Sequence, residues 1–372
     1  MRRRTELDAL RGLLLLIMAL AHLPTRVSAY ANQPIGFVSA AEGFVFLSAF
    51  VAGSASSAWM AEGLHRARTK LWSRALKLYT YHLGLLLFAF TIAAAFAATT
   101  GRPALRNLLT FYFDSPVMAV LSGPLLLYQP PLFDILPMYI VFLAVTPWLL
   151  ARTAVRGWSG VLAVSALLWA FAQVSGWRLV HEQLTATLGL AVPFDVAGSF
   201  DPFAWQLLWI AGLWAGARHD SRAVRSALSP AVVAAAFGVG CAMLLWRHGI
   251  GGFWPDPSTL VALLDKWRLG PLRLLNFAAL AVVFAVALIP LLAWLHVSVL
   301  SLLGRASLQV FCAHLLVCLA SLGLIVNDDR PLSPIQEIVV ITVTIAAMIL
   351  VARRSAAIAR AKRQRSSIAP TP

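Results

Sequence analysis

The chain has 372 residues, 60% hydrophobic and 12% charged, with a formal net charge of +15. A mean hydropathy of +0.79 and so few charges exclude a disordered chain, a disulfide scaffold and an ordinary soluble enzyme, in which about a quarter of residues are charged. What remains is an all-α, polytopic membrane protein whose length is set by its number of spans.

Apolar stretches near the length needed to cross a bilayer fall at about 11–30, 36–60, 79–100, 132–150, 159–176, 203–217, 230–247, 273–296, 306–326 and 336–352. About ten transmembrane helices place both termini on one side. With that side taken as the cytoplasm, 21 of the 30 Lys and Arg lie inside and nine outside, the sidedness that insertion imposes. The excess of positive charge therefore reports topology and gives no reason to invoke nucleic acid. Residues 1–352 read as a single membrane domain, and 353–372 as a basic, frayed cytoplasmic tail beside the anionic inner leaflet. The stretch 101–131, broken by Gly123, Pro124, Pro130 and Pro131, reads as an extracytoplasmic loop with a re-entrant or interfacial piece.

The N-terminus has the outline of a secretory signal, with Arg2–Arg4, the run Leu13–Ala21 and a small-residue Val27-Ser28-Ala29. Asp8, Arg11 and His22 are out of place in an ordinary apolar h-region and argue against cleavage. Ionisable groups at membrane depth are costly and mark functional sites. Arg11 and His22 are 11 residues apart, which at about 100° per residue puts them within about 20° of each other on one helical face, about 16 Å apart along the axis. Arg11 falls at the cytoplasmic boundary and His22 near the bilayer centre. Asp8 is one turn before Arg11, within ion-pair reach. One reading has Arg11 holding an anionic part of a ligand while His22 exchanges protons with a reactive group. The other has His22 in a local polar contact beside Pro24 and Arg11 as a positive-inside anchor.

Glu42 in the second span is expensive unless paired or protonated. It either orients His22 and takes part in proton transfer, or bonds a neighbouring helix. The loop with Arg66, Arg68, Lys70, Arg74 and Lys77 satisfies the positive-inside rule and could also receive phosphates. It leads into Tyr79 and His82, which open the third span and could line a cavity. In the ninth span, Ser307, Gln309 and His314 either bond between helices or serve the chemistry. His181, Glu182 and His248 are placed in extracytoplasmic loops, within reach of a soluble acceptor. Trp205, Trp209 and Trp214 read as packing or interfacial rings, and Trp254 and Trp267 as loop rings able to stack on sugars. Cys241, Cys312 and Cys318 lie in spans without metal-ligand spacing and read as packing residues, so no metal site is expected. Walker, GxSxG and HExxH motifs are absent.

Arg11-x10-His22 resembles the signature of the acyltransferase family three membrane proteins. Around it, Thr5-Glu6-Leu7-Asp8-Ala9-Leu10-Arg11-Gly12 resembles that superfamily's opening, and Ala41-Glu42-Gly43-Phe44-Val45-Phe46-Leu47-Ser48 resembles a segment of its OpgC branch. Further matches occur in order at Leu136–Tyr139, Pro202–Leu208, Leu269–Arg273 and Leu303–Phe311. Ala49 departs from the pattern, which usually carries Gly after the serine.

The resemblance implies an O-acyltransferase of the bacterial inner membrane. It implies succinyl-CoA from the cytoplasm as donor co-substrate, no permanently bound cofactor, and hydroxyls of osmoregulated periplasmic glucans as acceptor. His22 carries over as the catalytic base and Arg11 as its paired motif residue. Asp8 and Glu42 join them as catalytic candidates because they share these segments. Ser48, Arg66, Arg68, Arg74, Tyr79, His82 and His314 are candidates for substrate binding, and Ser48 or His22 could carry an acyl group. Alternatives are acetyl or other acyl transfer to another extracytoplasmic polysaccharide, a transporter of sugars or anions, and a structural scaffold, against which the shared face of Arg11 and His22 argues.

Overall fold

A computed structural model describes residues 4–218, 228–252, 254–326 and 331–368. Arg2, Arg3, Arg222, Arg225 and Arg330, which entered the sidedness tally, lie outside them. The described residues are almost wholly helical and contain no β-strand beyond an isolated bridge between Ile35 and Val38.

Each of the ten apolar stretches overlaps a helix. Among the described residues, seven helices are long and apolar enough to cross a membrane: Ala40–Ala61, Leu64–Thr100, Ile135–Arg156, Pro230–Arg247, Pro271–Leu295, Ser307–Leu324 and Pro334–Lys362. Ser159–Gln173 and Gly176–Thr187 reach that length only as a pair bent by 84°. The Pro202–Arg218 helix has 17 residues. The first helix, Thr5–His22, carries Glu6, Asp8 and Arg11. Leu64–Thr100 and Pro271–Leu295 each contain one π-helical turn, at Ala89–Ala93 and Phe284–Leu288.

Two expectations change, for the first span and the tail, and the stretch 101–131 gains detail. The first span ends at His22 instead of running to residue 30, because Leu23 precedes Pro24 and is extended, as the proline ring requires of its predecessor. The stretch 101–131 holds three short helices, Pro103–Leu108, Thr110–Asp114 and Pro116–Ser122. The basic tail is not frayed through its described length: the Pro334–Ile368 helix runs on to residue 368, its Ala, Arg and Lys being strong helix formers.

The contacts divide the chain into two compact units. One comprises residues 1–34, 39–44 and 283–372, the other 35–38 and 45–282. In the first, Leu23, Leu332 and Val340 form a buried apolar cluster with Leu20, Ile325 and Ile341 packed against it. In the second, Trp205 and Trp209 are fully buried, which makes them packing residues. The Trp209 Nε1 donates to Thr146 Oγ1 at 3.0 Å, and that of Trp205 donates to the Trp267 carbonyl at 3.0 Å. Ala49, the departure from the family pattern, is accommodated from the opposite side. Gly212 faces it, and a methyl group on Gly212 would stand 2.8 Å from the Ala49 Cβ.

Candidate active site

The site in the first unit is built on three helical pieces, Thr5–His22, Ser298–Arg305 and Ser307–Leu324, the last two consecutive in the chain. Ser298–Arg305 runs antiparallel to the first helix in backbone contact. A methyl group on Gly12 would overlap the Leu300 carbonyl, and one on Gly304 would overlap the Asp8 carbonyl. Small residues are what let membrane helices approach this closely. The contact brings Arg305 to Asp8, with Nε 3.5 Å from Oδ2. Asp8 is buried while Arg305 is exposed.

After Ala306 the chain reverses, and Ser307–Leu324 runs parallel to the first helix. Arg11 Nη2 donates to Ser307 Oγ at 3.1 Å, and the Arg11 guanidinium lies 5.8 Å from the centre of the Phe44 ring. Further along, His22 Nδ1 and His314 Nε2 are 3.1 Å apart, with the ring centres 5.3 Å apart and the ring planes at 25°, so the two rings meet edge to edge. His314 is fully buried and meets Phe311 edge-on at 5.0 Å. Cys318 Sγ donates to the His22 carbonyl at 3.0 Å, taking up an acceptor at the end of a helix that Pro24 has stopped. Ser307, His314 and Cys318 are seven and four residues apart, one face of a helix, and they meet the single face that carries Arg11 and His22.

Glu42 is fully buried but does not lie at mid-span. Its helix starts at Ala40, so Glu42 stands in the first turn. Its Oε2 accepts from Ser39 N at 3.1 Å and Ser39 Oγ at 2.5 Å. Ser39-x-x-Glu42 has the spacing of a capping box and makes one half of it, the N3 carboxylate satisfying the N-cap amide, while the Ser39 hydroxyl donates to the same carboxylate.

The remaining candidates belong to the second unit. Ser48 is buried. Arg66 is paired with Glu62, Arg68 lies over the Trp72 ring at 4.0 Å and Arg74 over Trp59 at 4.9 Å. Tyr79 donates to the Pro124 carbonyl at 3.1 Å, and buried His82 meets the Gly123 carbonyl at 3.5 Å. Both therefore secure the Gly123–Pro124 turn. His181 is not available to a soluble acceptor: it is fully buried on the Gly176–Thr187 helix, with Nε2 3.2 Å from the Leu127 carbonyl. His248 is exposed. Glu182 is exposed and paired with Arg178 at 2.7 Å, and Trp267 is exposed while Trp254 is half-buried. Among the described residues, no three His, Cys, Asp or Glu side chains gather as metal ligands.

Two residues of the site escaped sequence reasoning. Arg305 read only as a topology charge, and Cys318 only as packing. Both lie within or just beyond the Leu303–Phe311 segment, whose likeness to a family motif was the available signal.

The arrangement holds a guanidinium and an imidazole on one face, about 16 Å apart, each met by a partner from the Ser307–Leu324 helix. It offers an anion a cationic handle at one end and a proton acceptor at the other. The sequence model of the family described as "OpgC protein" matches residues 3–360, and the chain belongs to that family. No curated protein and no solved structure matches it significantly.

Proposed function

We propose that this OpgC-family chain moves a succinyl group from cytoplasmic succinyl-CoA to hydroxyls of osmoregulated periplasmic glucans. Family membership itself implies a membrane acyltransferase acting on periplasmic glucans; the donor and the residue roles are the further step. Residues 1–352 act as one domain of about ten spans in the bacterial inner membrane, with both termini and the basic 353–372 tail in the cytoplasm. The parallel course of Thr5–His22 and Ser307–Leu324 agrees with this scheme, since the first and ninth of ten spans both run outward.

In this reading Arg11 holds an anionic part of the donor near the inner surface. The thioester reaches His22. There His22 takes the proton from a sugar hydroxyl as that oxygen bonds to the acyl carbon. The CoA sulfur then leaves and receives the proton back, so the base is regenerated. General-base assistance of this kind is worth typically 10²–10⁴ in rate. The observation that carries the reading is the shared face of Arg11 and His22, with both side chains held from one neighbouring helix.

The test is His22→Ala in cells with intact membranes, with glucans analysed by mass spectrometry. Loss of succinyl-mass adducts supports the proposal, loss of acetyl-mass adducts reassigns the donor, and wild-type acylation overturns the role of His22. Release of free CoA by the purified protein separates an acyltransferase from a transporter, which would release none.

A further inference from the structure

Arg4 is the N-cap residue of the first helix, and Asp8 N donates to its carbonyl at 3.4 Å, so Arg4 stands one turn before Asp8. It lies seven residues before Arg11 and 18 before His22. At about 100° per residue these intervals are about two and five whole turns. Arg4, Arg11 and His22 therefore form one row along the helix, with Arg4 about 10 Å beyond Arg11 and about 27 Å from His22.

Arg305 joins the same end from the neighbouring helix. The contact of Gly304 with the Asp8 carbonyl fixes its backbone on one side, and the reversal at Ala306 fixes it on the other. The side chains of Arg4 and Arg305 are 46% and 45% exposed. Each is held by a carboxylate through Nε. Arg4 Nε donates to Glu6 Oε1 at 2.7 Å, and Arg305 Nε lies 3.5 Å from Asp8 Oδ2. Among the described residues, no hydrogen bond engages the Nη groups of either arginine. A guanidinium steadied at Nε presents its Nη pair as a fork, the geometry that phosphate oxygens accept. Ion pairs this accessible are weak, so they orient the forks without committing them. The sidedness of membrane insertion accounts for cations at this end. It does not account for their arrangement, one fork on the row itself and a second beside it, both on the far side of Arg11 from His22.

We propose that Arg4 and Arg305 form a clamp for the phosphates at the nucleotide end of the acyl-CoA donor, the end farthest from its thioester. This deepens the acyltransferase reading and rests on it. A donor laid along the row has its thioester at His22 and its outermost phosphates between the two forks. These contacts are the same in the ground state and the transition state, so they govern donor binding and not the chemical step. An anionic lipid headgroup offers the same phosphate chemistry, and the arms of the test separate the two sources.

The test uses the purified full-length protein in neutral detergent, with the variants Arg4→Gln, Arg305→Gln and Arg305→Lys. Calorimetry measures the affinity for CoA. Steady-state kinetics compares succinyl-CoA with succinyl-pantetheine, which keeps the thioester and has no phosphate. Loss of a hydrogen bond to a charged group is expected to weaken CoA binding, and to raise the KM for succinyl-CoA, roughly 10-fold in each Gln variant. The change falls on KM rather than kcat, and succinyl-pantetheine shows none. Arg305→Lys keeps a cation beside buried Asp8 and loses only the fork, so a smaller rise of the same kind in that variant separates the clamp from a folding defect. Wild-type CoA affinity in either Gln variant, or an equal rise in KM for both donors, overturns the clamp and leaves the acyltransferase reading intact. A defect seen only after phosphatidylglycerol is added to the detergent assigns the forks to lipid headgroups and likewise overturns it. Wild-type protein that binds CoA but transfers no acyl group overturns the acyltransferase reading instead, and the CoA affinities of the variants then judge the clamp alone.

Discussion

Gly12 lies against the Leu300 carbonyl with no space for a side chain. Gly304 bears the same relation to the Asp8 carbonyl four residues further along the antiparallel pair, so two glycines set the spacing between the helices that carry Asp8, Arg11 and Arg305. Gly12→Ala or Gly304→Ala must push backbone away from backbone, because the obstructing atoms are carbonyls that no side-chain rotation can clear. Overpacking of this kind costs typically 1–3 kcal/mol. The expected result is a lower unfolding temperature in detergent and loss of most transfer activity, and a Gly304→Ala protein indistinguishable from wild type in both would refute the close contact.

The bond from Arg11 to Ser307 predicts a graded series. Hydrogen bonds to charged groups contribute about 1.5–3 kcal/mol, so Ser307→Ala lowers kcat/KM by roughly 10-fold or more, and Ser307→Thr retains most of the activity. Arg11→Lys loses the forked geometry that guanidinium offers to anions and falls further than Ser307→Ala. Steady-state kinetics with acyl-CoA varied at fixed acceptor would reveal the order of these effects.

Glu42 separates a structural carboxylate from a chemical one. Glutamine satisfies the N3 position of a capping box as glutamate does. Glu42→Gln is therefore expected to keep near wild-type activity and stability, whereas Glu42→Ala loses about 1 kcal/mol, the usual cost of a broken cap. A Glu42→Gln protein that folds normally but is inactive would restore the carboxylate to the chemistry.

Asp201 gives stability a pH dependence. Burial pushes its carboxyl up to about 6, against the two backbone amides of Phe203 and Ala204 that favour the charged form. The folded protein therefore binds this proton more tightly than the unfolded chain, whose carboxyl titrates near the ordinary 3.8. The contribution to stability is fully present below about pH 3.8 and is lost as pH rises through about 6. Asp201→Asn keeps the acceptor oxygen and removes the titration. Its unfolding temperature relative to wild type should rise across that window, and equal pH profiles for the two proteins would exclude the burial effect.

Much of the site was legible before any fold was known. The 11-residue interval put Arg11 and His22 on one face, and both lie in one regular helix. Pro24 stops that helix, and Ser39-x-x-Glu42 is a helix start written in four residues. What local pattern could not supply was the partner. Nothing in the sequence near Asp8 names Arg305, and nothing near His22 names His314, 292 residues away. The Asp8–Arg305 contact comes from the close packing at Gly12 and Gly304. Depth was also illegible for His181, whose polar neighbours read as a loop but whose ring faces the Leu127 carbonyl inside its unit.

The separation between His22 and His314 also orders events in time. Chains grow from the N-terminus at about 5–20 residues per second, so a gap of 292 residues keeps the first helix waiting on the order of 15 to 60 seconds for the segment that completes it. Through that interval Asp8, Arg11 and His22 sit on a newly inserted helix without Arg305, Ser307 and His314, and the polar face has to be sheltered by water at the membrane edge, by the insertion machinery or by helices that arrive earlier. A chain that stops before residue 298 never acquires its clasp. Such a truncated product carries an intact signature motif on a helix that cannot close its site.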